Sequence, residues 1–300
     1  MKTCIRSIGF IGLGVMGEPI CRNLAEKSGL PVAAFDLSPE PLRRLAASRV
    51  RAAGSVTELV TGVDLIFLCL PSGEAVEAIC RAPGGILDAV RRGQVIVDLS
   101  TSPVDLTRRL GETFQARGVR FADAPIARTR AAAETGTLSI MVGADPELFD
   151  SLRPLLEHFG SDVTRCGPLG CGQVVKILNN MILFETVVAL SEAKAIAERS
   201  GVDAALLFET LCKGSADSFA LRSHGMKSIL TQDFPTKAFS VEYARKDLRY
   251  ALQLAEQTAV DARGARVVDG WFEQAVASGH GGLYHPVVSR QIAGTRDERP

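Results

Sequence analysis

Short apolar runs alternate with amphipathic stretches through the first half of the chain. The runs fall at Ile5–Ile11, Pro31–Phe35, Asp64–Leu70, Val95–Leu99, Arg120–Ala124 and Leu138–Val142. Helical periodicity fills the gaps at Glu18–Lys27, Pro39–Ala47, Glu74–Ala82, Val104–Ala116 and Pro146–His158. Near-continuous apolar strands separated by helices predict a parallel sheet covered on both faces.

The pattern changes near Cys166-Gly167-Pro168. An uninterrupted helical stretch runs from Gly172 to about Arg199, which would be ~40 Å long at the α-helical rise. Further helices are predicted near 203–213, 239–258 and 262–278, and the polar tail from Ala293 reads as frayed. The expected organisation is an α/β dinucleotide-fold domain over 1–168 and an all-helical domain over 169–300, joined by the long helix. Lys176, Glu185, Glu192, Lys194 and Glu198 argue against that helix spanning a membrane.

Charge narrows the function classes. Thirty-four basic and 34 acidic side chains cancel, so no global field favours nucleic acid or an anionic membrane. Seven cysteines, an odd number with no C-x-x-C pair, suit a reducing compartment better than a disulfide framework. The four histidines show no metal-ligand spacing, so no metal is expected. The apolar start lacks a cleavage site and is broken by glycines; the expectation is a cytoplasmic protein.

The sharpest local signal is Gly12-Leu13-Gly14-Val15-Met16-Gly17. It follows an apolar strand and opens a helix, the context a dinucleotide-binding turn requires. Gly12 allows the tight turn, Gly14 admits a pyrophosphate, and Gly17 lets helix and strand pack. Asp36 ends the second strand, 19 residues beyond Gly17. A carboxylate there accepts from ribose hydroxyls and repels a 2′-phosphate, which favours NAD over NADP. Arg43 and Arg44 are a counter-signal that also fits a solvated helix face. Leu70, Pro71 and Thr101 follow strand ends and should border the cofactor.

Three longer motifs carry a resemblance. They are Phe10 to Pro19, Asp123 to Leu138, and Gly172-Gln-Val-Val-Lys-Ile-Leu-Asn-Asn180, with Lys246-Asp247-Leu248 later. In these the chain resembles the β-hydroxyacid dehydrogenase family, which includes 3-hydroxyisobutyrate dehydrogenases, tartronate semialdehyde reductases and sulfolactaldehyde reductases. The resemblance implies a Rossmann domain, a long connecting helix, a helical domain and a homodimer or homotetramer. It implies that Lys176 is catalytic, that Asn180 helps hold a small acidic substrate, and that Lys246 lines the cofactor side. One departure stands out: many members carry Ser-Gly-Gly where this chain has Ala127-Arg128-Thr129. Sulfolactaldehyde reductases, with Gly-Arg-Thr, are closer there.

The spacing of the residues is compatible with that assignment. Gly172, Lys176, Asn180, Leu183, Val187 and Leu190 share one helix face, so Lys176 and Asn180 form the polar end of an apolar stripe. A lysine can exchange a proton with a reacting hydroxyl if burial lowers its pKa. Without the resemblance, Lys176 could equally be snorkelling near a helix start. Lys246 shares a face with Phe239, Tyr243 and Tyr250, and its stem could simply cover those rings. Arg128 offers a planar fork suited to an acidic group, with Thr129 beside it, although a surface role in a mobile loop fits it too. Two rival readings are an imine reductase of the same architecture, which would lack Lys176, and a non-catalytic NAD-binding protein.

Overall fold

The computed structural model describes residues 5–236 and 238–294. Cys4 and most of the polar tail therefore lie outside the described residues. The chain forms two compact units, 1–176 and 177–300.

The first unit runs β1 (Ile8–Ile11), α1 (Gly17–Lys27), β2 (Val32–Phe35), α2 (Pro39–Leu45), β3 (Arg51–Ala52), α3 (Val56–Thr61), β4 (Leu65–Leu68), α4 (Gly73–Arg81), α5 (Ile86–Ala89), β5 (Val95–Asp98), α6 (Val104–Gln115), β6 (Arg120–Asp123), β7 (Ile126–Ala127), α7 (Arg130–Thr135), β8 (Leu138–Gly143), α8 (Pro146–Leu156) and β9 (Gly160–Gly167). Six parallel strands pair in the order β3-β2-β1-β4-β5-β6. This is the Rossmann order, with its reversal between β1 and β4.

Strand alternation divides the core. On β4, Leu65 and Phe67 join the cluster under α1 and α8, while Ile66 and Leu68 join the one under α3, α4 and α6. Phe67 packs between Phe10 and Phe159, at centroid distances of 6.1 and 6.0 Å.

The sheet is not parallel throughout. β8 runs antiparallel to β6 and β7, then pairs in parallel with β9. Only ten residues separate Ala127 from Leu138, whereas a parallel crossover needs a dozen or more.

Helix α9 (Cys171–Arg199) crosses from the first unit's residues to the second's. It is long and apolar enough to cross a membrane by length and composition. Its charges and its packing speak against a span: Ile177, Phe184, Val187, Val188 and Leu190 are buried. The second unit continues with α10 (Ala204–Leu211), a π-helical segment (Leu221–Ile229), α11 (Val241–Gln257), α12 (Arg263–Ala277) and α13 (Val288–Ala293). Its core gathers Phe184, Phe208, Leu221, Leu248, Val268 and Phe272.

Candidate active site

The turn after β1 has the stereochemistry of a pyrophosphate cradle. Gly12 sits at φ +95°, and a Cβ there would lie 2.3 Å from the Cys69 carbonyl oxygen. A Cβ on Gly17 would lie 2.0 Å from the Gly12 oxygen, whereas one on Gly14 would meet nothing within 4 Å. The first and third positions thus exclude a side chain, and the middle one leaves space for a ligand. Leu13 is buried, Val15 is exposed and Met16 immediately precedes α1. These residues fit a dinucleotide at the α1 N-terminus.

Asp36 is fixed at the end of β2. Its Oδ2 accepts from the Leu13 N–H at 2.6 Å and its Oδ1 from the Ser38 N–H at 2.8 Å. The two arginines divide. Arg44 donates to both oxygens of Glu18, at 2.9 and 2.7 Å, and this bond holds the Glu18 carboxyl below its ordinary range. Arg43 is exposed.

Leu70 donates its N–H to Ser100 Oγ at 2.9 Å, linking the ends of β4 and β5. Pro71 beside it is exposed, and Thr101 is half-buried. Behind them lies a buried polar knot. Asp98 accepts from Ser100 N–H through Oδ1 and from the Ser102 hydroxyl through Oδ2, both at 2.9 Å. Gln173 in the first turn of α9 grips the same segment, donating to Ser100 O at 2.8 Å and accepting from Ser102 N–H at 3.0 Å. Asp123, at the end of β6, accepts from Gly170 N–H and Gln173 N–H, each at 2.7 Å. Burial pushes its carboxyl up to about 7; Asp98 adds to that push and the two N–H donors oppose it. The motif-based reading gave Asp123 and Gln173 no role.

Lys176 follows three residues after Gln173 and is 9% exposed. Asn180, one turn further along α9, belongs to the second unit and is 2% exposed. Its Nδ2 donates to Asp247 Oδ2 at 2.7 Å. The Lys246 ammonium lies 2.9 Å from Asp247 Oδ1, and 4.5 and 5.1 Å from the Tyr243 and Tyr250 ring centroids. That carboxylate contact is an ion pair without well-directed hydrogen-bond geometry. Asp247 thus joins two predicted residues, and only its presence in the Lys-Asp-Leu motif hinted at it.

Ala127, Arg128 and Thr129 lead from β7 to α7. Arg128 has φ +87°, a left-handed conformation that ordinarily favours glycine. Its guanidinium donates to Thr137 O at 2.6 Å, Ser161 Oγ at 2.8 Å and Asp162 Oδ2 at 2.7 Å. The fork is therefore engaged at the β8–β9 edge. Among the described residues, no group of three or more His, Cys, Asp or Glu is placed to hold a metal.

A Rossmann sheet with a glycine cradle and a helical second unit defines a nicotinamide-dinucleotide oxidoreductase. Residues 7–167 match the NAD binding domain of 6-phosphogluconate dehydrogenase, and residues 170–290 match the domain described as NAD-binding of NADP-dependent 3-hydroxyisobutyrate dehydrogenase. The chain is 34% identical to 2-(hydroxymethyl)glutarate dehydrogenase of Eubacterium barkeri, covering 91% of this chain and 90% of that one. It is 34% identical to 2-hydroxy-3-oxopropionate reductase of Escherichia coli K12, covering 95% and 96%. The solved 3-hydroxyisobutyrate dehydrogenase of Mycobacterium tuberculosis, with L-serine, superposes with a TM-score of 0.88 at 29% identity, over 97% of this chain and all of that one. The chain belongs to the β-hydroxyacid dehydrogenase family, and it is an NAD(P)-dependent oxidoreductase acting on CH–OH groups.

Proposed function

We propose that this enzyme interconverts a small acidic β-hydroxy compound and its semialdehyde, prefers NAD, and uses Lys176 as its general acid/base. The observation that carries this reading is a buried lysine near the start of α9, one turn from a buried asparagine. In oxidation, the neutral Lys176 amine takes the hydroxyl proton as hydride leaves the same carbon. In reduction, the ammonium returns that proton to the forming alkoxide. The cofactor supplies the hydride acceptor or donor. Asn180 holds the reacting hydroxyl or the neighbouring substrate oxygen, and Lys246 belongs to the cofactor side.

Support for NAD comes from Asp36, held by two backbone N–H groups, and from Arg44, committed to Glu18. In this reading Gly12 to Gly17, Leu70, Pro71 and Thr101 border the cofactor. The loop Ala127 to Thr129 receives the substrate's acidic end. Arg128 can do so through its guanidinium only by giving up Asp162, Ser161 and Thr137. Named relatives act on 2-(hydroxymethyl)glutarate, 2-hydroxy-3-oxopropionate and L-serine, so the substrate class is a short chain whose acidic group sits one carbon away from the reacting alcohol carbon. Sulfonate analogues extend it, because Arg128 stands in the loop.

A soluble cytoplasmic homodimer or homotetramer completes the reading. Leu178, Ile182 and Ile196 on α9 and Val267 on α12 are exposed apolar side chains; light scattering should give more than one chain per particle at micromolar concentration, and a monomer would refute it. The main test follows NADH absorbance with 3-hydroxyisobutyrate, L-serine, D-glycerate, 2-(hydroxymethyl)glutarate and the corresponding sulfonates. At least one acid should be turned over, and turnover should fall at least about 100-fold in Lys176→Ala. No turnover of any member, or near-parental turnover in the variant, would defeat the reading.

A further inference from the structure

Helix α9 begins without a side chain to cap it. Its first residue is Cys171, and the residue before that, Gly170, has none. The opening N–H groups of a helix need acceptors, and here they are supplied from a distant strand. Asp123, 47 residues earlier, reaches Gly170 N–H with one oxygen and Gln173 N–H with the other. Both Asp123 and Gln173 are fully buried.

Gln173 then ties this turn to the end of β5 through Ser100 O and Ser102 N–H. Asp98 fixes that segment from below, and Ser100 carries the link to the Leu70 N–H beyond β4. The remaining side of the turn has no slack. A Cβ at Gly172 would lie 2.3 Å from Met141 O and 2.7 Å from Asp123 Oδ2. Strands β4, β5, β6 and β8 thus set the first turn of α9, and Lys176 is carried by the turn that follows.

We propose that Asp123 and Gln173 are positioning residues for Lys176: Asp123 by capping α9 from the end of β6, and Gln173 by clamping the same turn to the end of β5. This rests on the assignment of Lys176 as acid/base. Neither residue touches the reacting atoms. Their effect comes from where they hold the helix, and a displacement of about 1 Å at a catalytic group can cost about 100-fold in rate.

The test uses Asp123→Asn, Gln173→Leu, Lys176→Ala and the doubles Asp123→Asn/Lys176→Ala and Gln173→Leu/Lys176→Ala, assayed with the panel acid of highest turnover. Asparagine keeps the shape but presents an NH2 group to one of the two N–H donors. Each positioning variant should lose about 10- to 100-fold in kcat, with KM and the NADH dissociation constant within twofold of the parent. Each double should match Lys176→Ala alone within twofold, because a positioning residue has nothing to act on once the lysine is gone. If either double falls further by the full factor of its single, that residue acts independently of Lys176 and its assignment is overturned. If Asp123→Asn and Gln173→Leu both keep parental kcat, the proposal fails although Lys176 stands. If Lys176→Ala itself retains turnover, or no panel acid is turned over, the assignment of Lys176 fails first. Should Asp123→Asn not fold, Gln173→Leu decides alone, since it leaves the Asp123 cap in place.

Discussion

The strand ends of the first unit and the aromatic cluster of the second bury polar groups in opposite ways. In the first, Asp98, Asp123 and Gln173 are buried at strand ends and hydrogen-bonded to backbone or hydroxyl groups. In the second, His285 is fully buried among rings, with neither ring nitrogen hydrogen-bonded. Phe184, Phe239, Tyr284 and His224 surround it at centroid distances of 5.2, 5.6, 5.1 and 5.3 Å. The first arrangement aims backbone and organises a site; the second is packing that tolerates a polar ring. Removing the polar group should therefore have opposite signs in the two places.

The largest effect is expected at Asp123→Leu. It leaves two buried N–H groups without an acceptor, at about 1–3 kcal/mol each, so the protein should lose about 2–6 kcal/mol of unfolding free energy by urea titration. A loss below 1 kcal/mol would show the cap to be dispensable. Next is a contrast of lysines. Lys176→Ala should lower kcat by at least about 100-fold and leave NADH affinity nearly unchanged. Lys246→Ala should chiefly raise KM for NAD, because its ammonium is held by Asp247 on the second unit. Equal kcat losses in both would erase the distinction. A smaller effect is expected at Asp36→Ala, which should narrow the NAD over NADP ratio of kcat/KM by about tenfold, or ~1.4 kcal/mol. An unchanged ratio would remove Asp36 as the discriminator.

How far the sequence could be read follows from the same contrast. Five of the six parallel strands were legible because buried strands leave near-continuous apolar runs; β3 was not, because Arg51 and Ala52 are both exposed. The glycine cradle was legible because its stereochemistry admits no other residue at Gly12 and Gly17. Strand β9 was not: Ser161-Asp162-Val163-Thr164-Arg165 lies largely exposed and pairs only with β8, so it carries no apolar signature. The reversal of β8 was hidden because chain direction leaves no trace in an apolar run. Lys176 and Asn180 were singled out by the family motif, and helical spacing set them on one face. Asp123 and Asp247 act across 47 and 67 residues, and no local period records such a bond. Arg128 was read as an anion fork from its chemistry. Its engagement with Asp162 depends on a strand the pattern did not show.

The smallest effect, and the one that sharpens the comparison most, concerns His285→Phe. The ring is held among aromatics, and phenylalanine keeps its shape without two unpaired nitrogens. The change should be neutral or add about 1 kcal/mol at pH 7. Its clearer signature is in acid. Burial holds His285 well below its ordinary range, with the His224 charge adding to the effect, and burial lowers His224 to about 4. In the unfolded chain both titrate near 6.5. Their contribution is therefore complete above about pH 6.5 and is lost as pH falls toward 4, because the unfolded state binds the protons. Asp123 has the reverse sign: its carboxyl is raised to about 7, so its contribution is complete below about 3.8 and is lost as pH rises through 7. Trp271, the chain's single tryptophan, lies on α12 in the second unit. Unfolding followed by its fluorescence should lose up to about 2.7 kcal/mol per pH unit below 6, for two protons. In His285→Phe that slope should halve, leaving the His224 proton. An unchanged slope would mean that His285 is already protonated in the folded enzyme or reaches solvent, and the contrast between the units would collapse at that residue.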